Sequence, residues 1–191
     1  MYRSQRLLET TKNLSSYCIA TMSLIYLPII ALVETCWQND FFSLIAAYDQ
    51  IMTNLFLDIE IYWLDDIGSN DVDYLYNYMK PYMNKTDYRF PFTFVCDQYL
   101  SQIINNETKY PTGIAWGRIL DHWNCAAAQS YYNGNLQQNL HIFAHEIGHI
   151  LHLGHSPEQC TNFMTSCNFL SNYNYTENDW LTIDQIIQQL V

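Results

Sequence analysis

The chain has 191 residues, of which 49 % are hydrophobic, 16 % aromatic and only 14 % charged. That is enough apolar material for one self-supporting domain, and it excludes a disordered chain or a small scaffold held by disulfides. Eight Lys and Arg against nineteen Asp and Glu give a net charge of −11, which repels a phosphate backbone, so no nucleic-acid partner is expected.

Arg3, Arg6 and Lys12 precede a mostly apolar run from Tyr17 to Val33. The run is interrupted by Thr21, Ser23 and Pro28 and is short for a spanning helix, so no stable membrane insertion is expected. Residues 1–23 are read as a leader or propeptide remnant ahead of a single domain over 24–191. Leu24 to Val33 is β-branched and aliphatic enough for a buried first strand.

Asn39 or Asp40 can then cap a helix whose apolar positions Phe41, Leu44, Ile45, Tyr48, Ile51, Met52 and Leu55 recur at three- and four-residue steps. Leu57, Ile59, Ile61 and Trp63 alternate with polar or amphipathic neighbours, the period of a half-buried strand ending near Asp65, Asp66 and Gly68. A second helix is expected from Val72 to Met79, stopped by Pro81. Phe90 to Cys96 reads as a third strand, the stretch around Asn105, Asn106, Glu107 and Thr108 as a loop, and Gly113 to Leu120 as a short strand. Gly134 and Asn135 break the chain before its most informative segment.

Six cysteines (Cys18, Cys36, Cys96, Cys125, Cys160, Cys167) form an even set without a C-x-x-C pair, which suits up to three disulfides better than a zinc ribbon. N-x-[ST] sequons stand at Asn13, Asn84, Asn106 and Asn174. Together they lead us to expect a secreted, extracellular glycoprotein.

Five of the six histidines, His141, His145, His149, His152 and His155, fall within fifteen residues, H-I-F-A-H-E-I-G-H-I-L-H-L-G-H. Asn135 or Asn139 can cap a helix that turns Leu140, Phe143, Ala144, Ile147 and Leu151 toward the core. His145 and His149 then lie one turn apart on one face, where both imidazoles reach a single ion. Glu146 projects beside them, where it can act on water. This chain's own composition would produce H-E-x-x-H by chance roughly 0.007 times.

The third ligand is His155 or His152. His155 has the spacing of the long motif H-E-x-x-H-x-x-G-x-x-H, whose glycine position is held here by His152. That glycine leaves the helix with positive φ, a conformation His tolerates better than most residues but worse than Gly. His152 would instead join His145 and His149 if the helix ran on unbroken. We take His155; His141 and His122 are read as surface or supporting groups.

With this motif the sequence resembles the metzincin clan of zinc endopeptidases, and the order of elements from Leu24 is most similar to the adamalysin or reprolysin group. The resemblance implies an α/β (α+β) zincin fold. That fold has a mixed twisted sheet, an active-site helix and a small C-terminal subdomain ending in a helix, here the segment from Thr176 with Trp180, Ile183, Ile186, Ile187 and Leu190. It implies that Met164, in C-T-N-F-M-T-S-C, forms a floor beneath the metal, and that Cys160 and Cys167 staple that turn. It further implies that the strand Gly113 to Ile119 is an edge that pairs antiparallel with an extended substrate. The implied function is a zinc-dependent endopeptidase acting on polypeptides, with Zn2+ held by His145, His149 and His155 and Glu146 as general base. The alternative is a catalytically silent metalloprotease-like protein that binds a partner protein, a reading His152 at the glycine position would favour.

Overall fold

The computed structural model describes residues 25–52, 55–83, 89–97, 99–121, 124–132, 134–157, 161–166 and 173–189. The expected leader, the Cys160–Cys167 staple and His122 lie outside them. The strand expected at the start is β1, Ile25–Glu34. Leu27, Ile29, Ala31 and Val33 enter one core, while Ile30 and Leu32 enter another on the opposite face. Such two-sided burial explains why the segment is a near-continuous apolar run.

A single 3-10 turn, Thr35–Trp37, leads into α1, Phe41–Ile51. Asp40 stands at its N-cap position but does not cap it; its carboxylate accepts the hydroxyl of Tyr131. Leu55, expected on the helix face, begins β2 (Leu55–Leu64) instead, in parallel register with β1 from Ile25↔Leu55 to Glu34↔Leu64. The apolar period of three and four therefore ends with Met52, and β-pairing takes the next apolar residue.

The second helix, α2, runs from Val72 to Met83 and contains Pro81, against the expectation that proline would stop it. Near the C-terminal end Pro81 removes only one helical N–H. Met83 beyond it is buried in the core shared with Val72, Leu75 and Met79, which offsets that loss. The third strand, β3 (Phe90–Val95), pairs parallel with β1. Pro91 is tolerated there one residue before pairing with the next neighbour begins at Phe92.

The stretch expected to be a loop is a hairpin, β4 (Gln102–Ile104) against β5 (Glu107–Lys109). Asn105 and Asn106 form its turn at φ 53° and 64°, the left-handed pair that a two-residue hairpin turn requires and asparagine accepts. The next strand, β6 (Gly113–Trp116), is shorter than expected. Gly117 turns the chain at φ 65°, where a Cβ would strike the carbonyl of Asn124. Ile119 is thereby carried into the core, and its N–H donates to Ile150 O at 3.0 Å.

A strand not expected from sequence, β7 (Ala126–Ser130), is wholly buried between β3 and β6. The sheet order is β2-β1-β3-β7-β6, parallel except for β6 at the edge. On one face lie α1, α3 (Leu136–Ile150) and α4 (Glu177–Gln188); α2 covers the other. The α4 helix begins in a reciprocal capping box between Thr176 and Asp179, and Ile183, Ile186 and Ile187 enter the same core as α3. Cys36 and Cys96 form a disulfide that ties the ends of β1 and β3, and Cys125 is free and buried. Among the described residues no helix is long and apolar enough to cross a membrane.

Candidate metal centre

Asn135 caps α3 as expected, its side chain accepting from the N–H of Gln138 at 3.0 Å. Asn139 bonds the backbone of Tyr132 at both its Oδ1 and Nδ2 instead. The helix ends at Ile150 and leaves through His152 at φ 68°. Leu153 N–H donates to Gly148 O at 2.9 Å and His152 N–H to His149 O at 3.0 Å. These are the two bonds of a Schellman motif, with His152 in the position glycine usually fills. The turn directs His152 away from the other histidines and swings His155 back toward them.

His145, His149 and His155 can each offer one nitrogen to a common ion. The Nε2 atom of His149 is 3.0 Å from that of His145 and 3.1 Å from that of His155. His145 Nδ1 donates to Phe163 O at 2.7 Å and His149 Nδ1 to Leu153 O at 2.9 Å. A carbonyl can only accept, so each Nδ1 carries the proton and each Nε2 presents a lone pair. Two lone pairs 3.0 Å apart repel, unless a cation is shared between them. Nitrogens at about 2.0–2.1 Å from a tetrahedral Zn2+ lie about 3.3 Å from one another, close to what is found. The donor set therefore fits zinc, and backbone carbonyls behind the rings supply the orientation such sites need. Burial pushes His145 down to about 3, so it stays neutral through the physiological range.

Glu146 is 5 % exposed and lines the same cavity. Burial pushes its carboxyl up to about 8 in the metal-free protein. A Cβ on Gly113, the first residue of β6, would lie 2.5 Å from Glu146 Oε1 and 2.7 Å from Ile142 Cγ2. The glycine is what lets the edge strand pass so close to this carboxylate.

Met164 is fully buried, and a Cβ on Gly148 would collide with its Sδ. Its neighbours hold the histidine helix through backbone atoms. Phe163 O takes His145, Thr165 O takes His141 Nε2 at 3.2 Å, and Met164 O accepts from Ser156 N at 2.8 Å, next to His155. Tyr175 OH donates to Ala144 O at 2.5 Å from below. His141 is thus buried rather than at the surface. The roles of Phe163, Leu153 and Thr165 were not legible in the sequence, because they act through carbonyls that every residue owns.

The histidines, Glu146 and β6 surround a cavity of about 520 Å³ that extends to Gln138, Thr165 and the hairpin flank at Gln102 and Tyr110. A second close grouping, Glu34 with Cys36 and Cys96, is already committed. The sulfurs are bonded to each other, and the Glu34 carboxylate accepts from Ile67 N at 2.8 Å and from Cys96 N.

No family model matches the sequence, and no curated protein does. Among solved structures the chain is similar to archaemetzincin from Methanopyrus kandleri, with a TM-score of 0.54 at 12 % identity, covering 90 % of this chain and 99 % of that one. At that identity the likeness is one of fold. The architecture is the mixed α/β, metzincin-like fold of a zincin, as expected.

Proposed function

We propose that the protein is a zinc-dependent endopeptidase that hydrolyses peptide bonds of extended polypeptides. His145, His149 and His155 are its metal ligands and Glu146 its general base. The observation that carries this is the convergence of three imidazole Nε2 atoms, two of them with their protons held on Nδ1 by carbonyls, beside a buried carboxyl on the wall of an open cavity. When bound, zinc supplies Lewis acidity toward water and a peptide carbonyl. Glu146 takes the proton of the attacking water at its carboxylate and passes it to the leaving amine nitrogen. Beside a bound cation the Glu146 carboxyl would fall from its raised metal-free value and so be ready to act as a base. Along Gly113–Trp116 the sheet edge offers backbone groups to an extended chain, which positions the scissile bond above the histidines.

The silent-binder alternative drew on His152 in the glycine position. The helix exit formed by His152 at φ 68° supports the endopeptidase reading over that alternative. We infer the adamalysin or reprolysin placement from the order of elements in the sequence. Secretion is supported by the Cys36–Cys96 disulfide.

The test is zinc content of the purified protein together with cleavage of an unfolded protein, with and without chelator. One zinc per chain and chelator-sensitive cleavage are expected. Glu146→Gln should keep the zinc and lose turnover by about 10²–10⁴-fold; a protein that binds no zinc, or a Glu146→Gln variant as active as the parent, ends the reading.

A further inference from the structure

Gln138 and His141 stand one turn apart on the face of α3 that lines the cavity, ahead of the metal-binding histidines. Both are more than nine-tenths buried, at 6 % and 5 % exposure. The backbone N–H of Gln138 is used by the Asn135 cap, but its carboxamide has no hydrogen-bond partner among the described residues. His141 Nε2 faces the carbonyl of Thr165 at 3.2 Å, which fixes the proton on Nε2 and leaves Nδ1 an acceptor. That Nδ1 is buried without a partner. A group buried unpaired costs roughly 1–3 kcal/mol, so His141 Nδ1 calls for a donor, and the Gln138 carboxamide beside it on the cavity wall is free to pair with the same ligand.

We propose that this part of the cavity is a specificity pocket for a neutral carboxamide side chain, Asn or Gln, of the polypeptide substrate, read by Gln138 and His141. The proposal rests on the endopeptidase reading above. His141 Nδ1 needs an N–H donor, and the Gln138 amide offers a donor and an acceptor; a primary amide matches both. An aliphatic side chain would leave all of these unpaired, a discrimination that binding sites make far more strongly than they count methylenes. Among the described residues no Lys, Arg or Asp lines the cavity, and the one carboxylate among them, Glu146, is engaged in proton transfer. An anionic side chain therefore finds no counter-charge there, and a cationic one finds none to spare.

The experiment profiles the cleavage sites of the zinc-loaded protein in an unfolded protein digest, then measures kcat/KM on peptides with Gln, Leu or Lys at the selected position. Gln is expected to exceed Leu by at least tenfold. Gln138→Leu should shrink that ratio at least tenfold, and Gln138→Glu should shift preference toward Lys, which a merely structural role for Gln138 would not do. An aliphatic preference, or a Gln/Leu ratio unmoved by Gln138→Leu, overturns the proposal while leaving the endopeptidase reading intact. A second readout needs no activity. In metal-free protein carrying 15N-histidine, N-acetylglutamine methylamide should shift the His141 Nδ1 resonance and N-acetylleucine methylamide should not. If no peptide is cleaved at all, the endopeptidase reading fails, and this titration alone decides the pocket: no shift with the glutamine compound overturns it.

Discussion

Gly113 and Glu146 meet where the edge strand crosses the histidine helix, so closely that a single methyl on Gly113 would lie 2.5 Å from the Glu146 carboxylate. Gly113→Ala should therefore displace Glu146, the proposed general base, without touching the proposed metal ligands. Displacements of this kind cost about 10²-fold in rate. The expected result is full zinc content with hydrolysis reduced about 100-fold, measured by metal analysis and peptide turnover; an alanine variant with parental kcat/KM would remove the steric argument.

In the proposed site His155 is a metal ligand and His152 turns the chain out of the helix. His152→Gly should keep one zinc per chain and gain up to about 1 kcal/mol of stability, because glycine occupies the left-handed position with less strain. His155→Ala should lose the metal. Chelator competition and thermal unfolding of the two variants check this, and loss of zinc in His152→Gly would reassign the third ligand.

The metal-free protein should lose stability as pH rises from about 6.5 to 8. The Glu146 carboxyl, raised by burial from 4.5 to about 8, binds a proton in the folded state that the unfolded chain has already released. Its contribution is full below 4.5 and is lost as pH climbs through 8. His145 acts in the opposite sense, but only below its unfolded value of 6.5. Above that pH the His145 effect is absent and the glutamate effect is on the order of a few kcal/mol at most. Urea midpoints of metal-free protein across this range should fall for the parent and stay flat for Glu146→Gln.

The Cys36–Cys96 bridge closes a loop with a sequence separation of 60 residues. Removing it by paired Cys→Ser substitution should destabilise the fold by about 2–4 kcal/mol. Equilibrium unfolding measures this, and an unchanged midpoint would mean that the bridge contributes nothing.

The sequons differ in what the fold leaves free. Asn106 is exposed in the hairpin turn, whereas Asn174 Oδ1 accepts from Tyr175 N at 2.8 Å and Trp180 Nε1 at 3.2 Å. Expression through a secretory pathway should yield a glycan on Asn106 and none on Asn174. Mass spectrometry before and after glycosidase treatment would show the reverse if Asn174 were the accessible site.

The parts that were readable from residue order are those in which local chemistry and tertiary environment agree. The apolar run of β1, the helix-period face of α1 and the Asn135-capped helix all declare themselves. Where the environment overrules local preference, reading failed. Ala126, Ala127 and Ala128 carry helical propensity, yet they form a strand because only small side chains fit between α2 and α3 on its two faces. Asn105 and Asn106 have the polarity of a loop, but their tolerance of positive φ makes them a hairpin turn. Within the site, side-chain positions were legible and the carbonyls that aim them were not.

The order in which these carbonyls occur along the chain has a temporal meaning. A protein emerging from the ribosome presents His145 and His149 first, while Phe163, which aims one of those rings, and Tyr175, which braces the helix beneath them, follow eighteen and twenty-six residues behind His145 and His149 respectively. Until that stretch has been synthesised and packed, the His145 ring lacks the carbonyl that aims it and the helix lacks its brace from Tyr175. The proposed site therefore assembles only after Tyr175 has been made and packed.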